Sequence, residues 1–237
     1  MSAKVFRFKN FDLQFQDSAM KPGTDAIILS AFVNVQAEDK LLDVGTGTGI
    51  ISLLLAQKGC KTIHAIEPDP AAFQEAQENI NSSPFSKRIQ LFQQKLQDFT
   101  PIANYTCIVS NPPYHIGSPS PQGQRNQARN ATELPLTAFF TAMKSLLAPE
   151  GSSYLILPFS RKQELIDTAQ LYGYSVVELV EIYGKQGQSA KRIIAKVKRG
   201  VHLSVSSSFT IRNSDNSWHD DYLEKCSGFH HPSYFQG

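Results

Sequence analysis

A chain of 237 residues with 41% apolar and 19% charged side chains is long enough for one α/β domain with a sizeable core, which excludes a disordered tail or a disulfide-stapled miniprotein. Lys plus Arg number 23 against 21 for Asp plus Glu, a formal charge of +2, so any affinity for nucleic acid has to come from a local patch. The three cysteines, Cys60, Cys107 and Cys226, lack disulfide or zinc spacing and read as buried thiols. No apolar run reaches the roughly 18 residues of a membrane helix, and the start, MSAKVFRFKNFD, has no signal-peptide core. A monomeric cytoplasmic protein without metal is the expectation.

The chain opens on an aromatic-rich extended arm, Val5 to Phe15, followed by a helix from Thr24 to Val33 with Thr24 as its cap. From about Lys40 to Lys198, β-branched runs alternate with amphipathic stretches, the pattern of crossover units on a parallel sheet. Strands are expected at Lys40–Val44, Thr62–Ile66, Ile89–Phe92, Tyr105–Ser110, Tyr154–Leu157 and Ser175–Tyr183. Helices are expected at Gly49–Lys58, from Asp69 to about Asn81 with Asp69 as cap and Pro70 at the first helical position, and at Pro135–Leu147. Ser160 and Gln163 form a capping-box pattern for another, which Gly173 closes. Only about eight residues separate Ser175–Tyr183 from Arg192–Val197, too few for a crossover, so this last pair is expected to be antiparallel. The whole reads as one domain, with an N-terminal arm to about residue 23 and a loose tail from about 228.

Between the first strand and its helix lies Asp43, Val44, Gly45, Thr46, Gly47, Thr48, Gly49. In doubly wound sheets this turn holds an adenosine-containing ligand. The sixth position from Gly45 is Ile50 rather than glycine, so a dinucleotide pyrophosphate fits poorly. Glycines at alternate positions instead offer backbone N–H groups to a small ligand end such as an amino-acid carboxylate, with Asp43 able to hold an ammonium. Glu67, 24 positions after Asp43 at the second strand's end, can accept from both hydroxyls of a ribose. Together they point to S-adenosylmethionine.

The fourth strand ends in Asn111, Pro112, Pro113, Tyr114. An exocyclic amine is a weak nucleophile because its lone pair is spread into the ring. The Asn111 side-chain oxygen and the Pro112 carbonyl can each accept one N–H and turn the lone pair toward a methyl donor. Tyr114 offers a flat face for stacking.

These residues carry a resemblance. Through FRFKNFDLQF, AMKPGTDAIILSAF, LLDVGTGTGIISLLLAQ, AIEPDPAAFQEAQENINSSPF, VSNPPYHIGSPSP and RNQAR, from about Phe6 to Lys198, the chain resembles the NPPY-type class I S-adenosylmethionine-dependent methyltransferases. Among these it resembles the bacterial tRNA1(Val) adenine-37 N6-methyltransferase family. The resemblance implies a Rossmann-like, seven-stranded, mostly parallel sheet with its last strand antiparallel and helices on both faces. It implies that Lys21 to Asp25 closes over the methionine end of the cofactor, so that Lys21 and Thr24 join Asp43, Gly45, Gly47, Gly49, Glu67 and Asn111 in cofactor binding. Where relatives carry an acidic residue for the adenine amine, this chain has Gln94, Lys95, Leu96. Lys95 cannot accept that bond; the Leu96 N–H can still meet the ring.

On the substrate side, Arg125 and Arg129 lie four apart in a long polar stretch, His115 to Ala131. Six cations and no acid run from Lys185 to Arg199, among them Lys191 and Arg192, and are expected to form a basic edge for tRNA phosphates. The reading is transfer of a methyl group to the N6 amine of an adenine in tRNA, Asn111, Pro112 and Tyr114 being catalytic. The rivals are a protein glutamine N5-methyltransferase, which NPPY serves equally well but whose release-factor members carry a separate N-terminal substrate domain; a DNA adenine methyltransferase; and a non-catalytic RNA-binding module.

Overall fold

The computed structural model describes residues 4–15, 23–100, 102–112 and 134–235. The aromatic arm folds as a hairpin of β1 (Lys4–Arg7) and β2 (Asp12–Phe15). It is followed by α1 (Thr24–Phe32), β3 (Lys40–Val44), α2 (Ile50–Gln57), β4 (Thr62–Ile66), α3 (Pro70–Ser82), β5 (Ile89–Phe92) and β6 (Tyr105–Ser110). After the described gap come α4 (Leu136–Leu146), β7 (Leu147–Pro158), α5 (Lys162–Leu171), β8 (Tyr174–Tyr183), β9 (Arg192–Arg199), β10 (Val205–Thr210) and α6 (Asp220–Cys226).

The strands from β3 onward form one sheet of eight, in the order β10-β8-β9-β7-β6-β3-β4-β5. All neighbours are parallel except β9, which runs antiparallel to both β7 and β8. The expected hairpin of β8 and β9 therefore forms. The expected count of seven rises to eight because β10 adds outside β8. β10 reads VSSSFT and buries only Phe209 fully, so it carries little of the apolar alternation that marks a strand.

Period-2 alternation splits the core between the two faces. Leu41, Ile63, Cys107, Val109, Ile156 and Ile194 meet α1, α2, α3 and α6 on one side. Leu42, Ile66, Ile108, Leu155, Leu157 and Ile193 meet α4 and α5 on the other. α2, IISLLLAQ, is buried from Ile50 to Ala56, which explains a helix that is apolar all round. The three cysteines are free and buried, as expected.

Several local expectations change. Asp69 caps α3 as read, its Oδ1 accepting from the Ala72 N–H at 2.9 Å with Pro70 leading the helix. Thr24 is instead the first residue of α1; Gly23 holds the cap position, without a side-chain bond. The Ser160–Gln163 capping box does not form, because 159–161 make a 3-10 turn and Arg161 is drawn to Glu164 at 2.7 Å.

The tail is not loose either. His230 is 2% exposed, bridges to Phe8, stacks on Tyr234 at 3.9 Å and bonds the Tyr222 hydroxyl at 2.9 Å. Phe6 packs on Phe8 and Tyr234, so the two ends of the described chain share one aromatic cluster. Burial pushes His230 down to about 4, below its ordinary value near 6.5. Between those values the unfolded chain takes up the proton and the folded one does not, so stability is full above about pH 6.5 and is lost as pH falls toward 4. Asp43, raised to about 6, acts with the opposite sign over part of that range. We therefore expect His230→Phe to lose the acid-side decline relative to wild type, a difference of about 2 kcal/mol between about pH 7 and about pH 5, read from urea midpoints at both. Parallel pH profiles would show that His230 is not the group.

Candidate active site

β3, β4, β6 and β7 all end at one edge of the sheet, where an open α/β fold leaves a crevice. The turn after β3 carries three glycines with left-handed backbone, Gly45 at φ 72°, Gly47 at 58° and Gly49 at 82°, which other residues adopt at a cost. A Cβ added at Gly45 or Gly47 would meet nothing within 4 Å, so the turn presents bare backbone to open space. The N–H groups of the three glycines and of Thr46 are spent inside the fold, contrary to the expectation that the glycine N–H groups meet a ligand. Gly45 and Thr46 donate to the Ile66 carbonyl at 2.9 and 3.1 Å, Gly47 to Glu67 Oε2 at 2.9 Å, and Gly49 to the Thr46 carbonyl at 3.0 Å.

Asp43 lies beneath this turn and is fully buried. Its Oδ2 accepts from the Thr46 hydroxyl at 2.6 Å, the Ser52 hydroxyl at 2.7 Å and the Ser52 N–H at 3.1 Å. Its Oδ1 is buried without a hydrogen-bond partner among the described residues. Burial pushes the carboxyl up to about 6 in spite of those donors. Such a carboxylate, already desolvated, is stabilised by a cation brought near it.

Glu67 directly follows β4 and is 8% exposed. Its Oε2 takes the Gly47 N–H and its Oε1 the Asp69 N–H at 3.0 Å, which fixes the carboxylate across the mouth of the turn. Burial raises its pKa, and the two N–H donors oppose the rise. Leu96 is buried and opens a 3-10 turn, 96–98, after β5, while Lys95 and Asp98 are exposed.

Asn111 follows β6 directly, half-buried, with Pro112 buried behind it. The Ser110 hydroxyl donates to the Val44 carbonyl at 2.9 Å, tying the tip of β6 to the tip of β3. Asn111 is thereby held beside the glycine turn. Asn79 of α3 supports the turn from behind, donating to the Thr48 carbonyl at 2.9 Å and exchanging bonds with Gln14 of β2. Ser52, Asn79 and Ser110 were not singled out in the sequence, and no local motif marks them. Lys21, Tyr114, Arg125 and Arg129 lie outside the described residues.

The expected basic edge does not exist as such. β9 is an interior strand, and about seven residues at roughly 3.4 Å each put its ends some 24 Å apart. Lys191 and Arg192 lie at the crevice end, Arg192 level with Pro158, whereas Lys198 and Arg199 lie at the opposite end. Most of these cations are also engaged. Arg192 Nε bonds Asp25 Oδ2, Lys196 pairs with Glu178 at 2.7 Å, and Lys185 bonds Asn216 at 2.8 Å.

The family described as "Methyltransferase small domain" matches residues 7–165. The chain belongs to this methyltransferase family. Relatives of the methyltransferase include the tRNA1(Val) (adenine(37)-N6)-methyltransferase of Parabacteroides distasonis, 44% identical over 173 residues that cover 72% of this chain and 73% of that one. The protein of the same name from Tolumonas auensis is 31% identical over 97% of this chain and 98% of its own. Among solved structures, a predicted O-methyltransferase from Agrobacterium tumefaciens, Atu636, shares the fold at a TM-score of 0.70 and 14% identity, covering 88% of this chain and 98% of that one. TYW2 of M. jannaschii, solved in complex with AdoMet, does so at 0.56 and 15%, covering 83% and 86%. Among the described residues of this methyltransferase no helix is long and apolar enough to cross a membrane, and no group of three His, Cys, Asp or Glu is placed to hold a metal.

Proposed function

We propose that this methyltransferase moves a methyl group from S-adenosylmethionine to the N6 amine of adenine 37 in tRNA1(Val). The observation that carries the reading is the pinning of Asn111 beside the glycine turn and Glu67 at the crevice edge. The relatives' names supply the nucleoside and the tRNA.

The cofactor fits the residues present. Glu67 keeps lone pairs for two ribose hydroxyls, since each of its oxygens accepts only one N–H from the chain. The bare backbone of Gly45 and Gly47 admits a ligand closely, whereas Gly49 turns toward Ile80 and Ala76 of α3 and serves to close the turn; the buried negative charge of Asp43, with its unpartnered Oδ1, favours an ammonium above it. We assign the Leu96 N–H to the adenine ring, and Lys21 and Thr24 to the methionine end. When bound, S-adenosylmethionine supplies an electrophilic methyl group on a sulfonium.

The chain's own part is orientation. The Asn111 side-chain oxygen and the Pro112 carbonyl each accept one N–H of the target amine, which pyramidalises the nitrogen and aims its lone pair into the crevice. Tyr114 stacks on the base, and Arg125, Arg129, Lys191 and Arg192 hold the RNA phosphates. The methylated nitrogen is acidic enough to release its proton to water, so no side chain is needed as base.

The test is transfer of tritiated methyl from S-adenosylmethionine to tRNA lacking modification, followed by mass mapping of the labelled nucleoside. N6-methyladenosine at position 37 of tRNA1(Val) is expected. Label in a protein glutamine, or at another nucleoside, would overturn the reading.

A further inference from the structure

The strand order lays the site out as a line. Along the crevice edge come Glu67 at β4, the glycine turn at β3, Asn111 at β6, Phe159 just past β7 and Arg192 at the start of β9, each strand about 4.8 Å from the next. If the cofactor spans β4 and β3 and the target amine meets Asn111, the rest of the RNA strand leaves over β7 and β9. Ser110 is level with Leu155, which puts Phe159 one strand over from Asn111 and three positions further out, roughly 10 Å away.

Two side chains at that exit reach solvent while also being held by neighbours. Phe159 is 37% exposed, the one aromatic among the exposed large apolar side chains of the described residues. Apart from the Lys162 ammonium, 5.7 Å from its centroid, the ring is a partly exposed apolar surface of the kind on which a base stacks. Its N–H donates to the Lys191 carbonyl at 3.0 Å, so ring and basic strand start are held in fixed relation. Arg192 is one-third exposed, and its Nε is clamped by Asp25 from the first turn of α1, a carboxylate only 16% exposed. A guanidinium carries five donors in one plane, so a clamp at Nε sets the direction of the whole fork.

We propose that Phe159 and Arg192 form a subsite for a nucleotide flanking the target adenine, its base stacked on Phe159 and its phosphate held by Arg192, with Asp25 as the positioning residue. The subsite rests on the RNA reading above. An aromatic face beside a directed guanidinium is how unpaired nucleotides are held without a fixed sequence.

The test uses the full chain and an anticodon stem-loop RNA with 2-aminopurine in place of the nucleotide on either side of the target adenine. Wild type is expected to quench the fluorescence of one of the two probes on binding. Phe159→Leu, a change at an exposed ring that leaves the fold intact, is expected to abolish that quench and raise KM for the RNA about tenfold with kcat little changed. Arg192→Gln is expected to lower the slope of log affinity against log salt by about 0.7, the loss of one phosphate contact, whereas Phe159→Leu leaves the slope as it was. Asp25→Asn weakens RNA binding in the same sense, and adding Arg192→Gln to it costs little more, because both changes remove one unit. Methyl transfer by wild type with no quench at either position, or with quench and slope unmoved by the substitutions, overturns the subsite alone. Failure of wild type to methylate this RNA overturns the functional reading and the subsite with it.

Discussion

Asn111→Ala is expected to cut kcat for tRNA methylation by about 10²–10³-fold, the usual effect of removing one oriented hydrogen-bonding group from a reacting centre. The amide oxygen is one of the two acceptors that turn the lone pair of the target amine, and the Pro112 carbonyl alone cannot fix the nitrogen in two directions. Stability should change little, because Asn111 is half-buried and the bond that ties the two strand tips belongs to Ser110. Asn111 also counts among the cofactor-binding residues, so affinity for S-adenosylmethionine should fall as well, but by far less than kcat. Single-turnover transfer of labelled methyl, calorimetry with the cofactor and a thermal melt separate these effects. Transfer within tenfold of wild type would show that the amine is oriented by something else.

Glu67→Ala should act on the other reactant. It removes the acceptor for the ribose and also leaves the N–H groups of Gly47 and Asp69 without their partner. Hydrogen bonds to a charged group are worth about 1.5–3 kcal/mol each, so two ribose bonds lost together weaken cofactor binding by about two to four orders of magnitude. Glu67→Gln should fall between, since an amide NH2 must then face one of two N–H donors. The same residue gives a pH dependence. Burial holds the Glu67 carboxyl above the usual range, so the acceptor form fades as pH falls and cofactor affinity falls with it. The sign for the ligand-free fold is opposite, because the folded chain takes up that proton more readily than the unfolded one. Titration calorimetry across the acid range, on wild type and Glu67→Gln, is the check; an equal decline in both would assign the dependence to Asp43.

The part of this site that could be read in advance is the part made by neighbours in the chain. Gly45, Gly47 and Gly49 need left-handed backbone in a turn of fixed length, and Asp69 with Pro70 starts α3 within four residues. Local geometry writes such features directly into sequence. What could not be read depends on residues far apart. Asp25 reaches Arg192 across 167 positions, and Glu178 meets Lys196 only because β8 and β9 are in register. Counting cations from Lys185 to Arg199 therefore suggests a continuous edge where the fold makes two separated ends, with Arg192 paired at one of them and Lys196 paired between. The direction of the loop's N–H groups was hidden too, because their acceptors, Ile66 and Glu67, belong to the next strand. β10 escaped notice because an edge strand with one buried ring needs no alternation.

The aromatic cluster that joins Phe6 and Phe8 to His230 and Tyr234 sets a timetable for the ribosome. The β1–β2 hairpin emerges first, yet part of the surface it rests on is synthesised more than 200 residues later. Vectorial folding can complete the central sheet and seat β2 on α3 through Gln14 and Asn79, but the aromatic side of β1 is covered only when the turn carrying His230 and Tyr234 is made. Shortening the chain at its far end would thus be felt at its beginning.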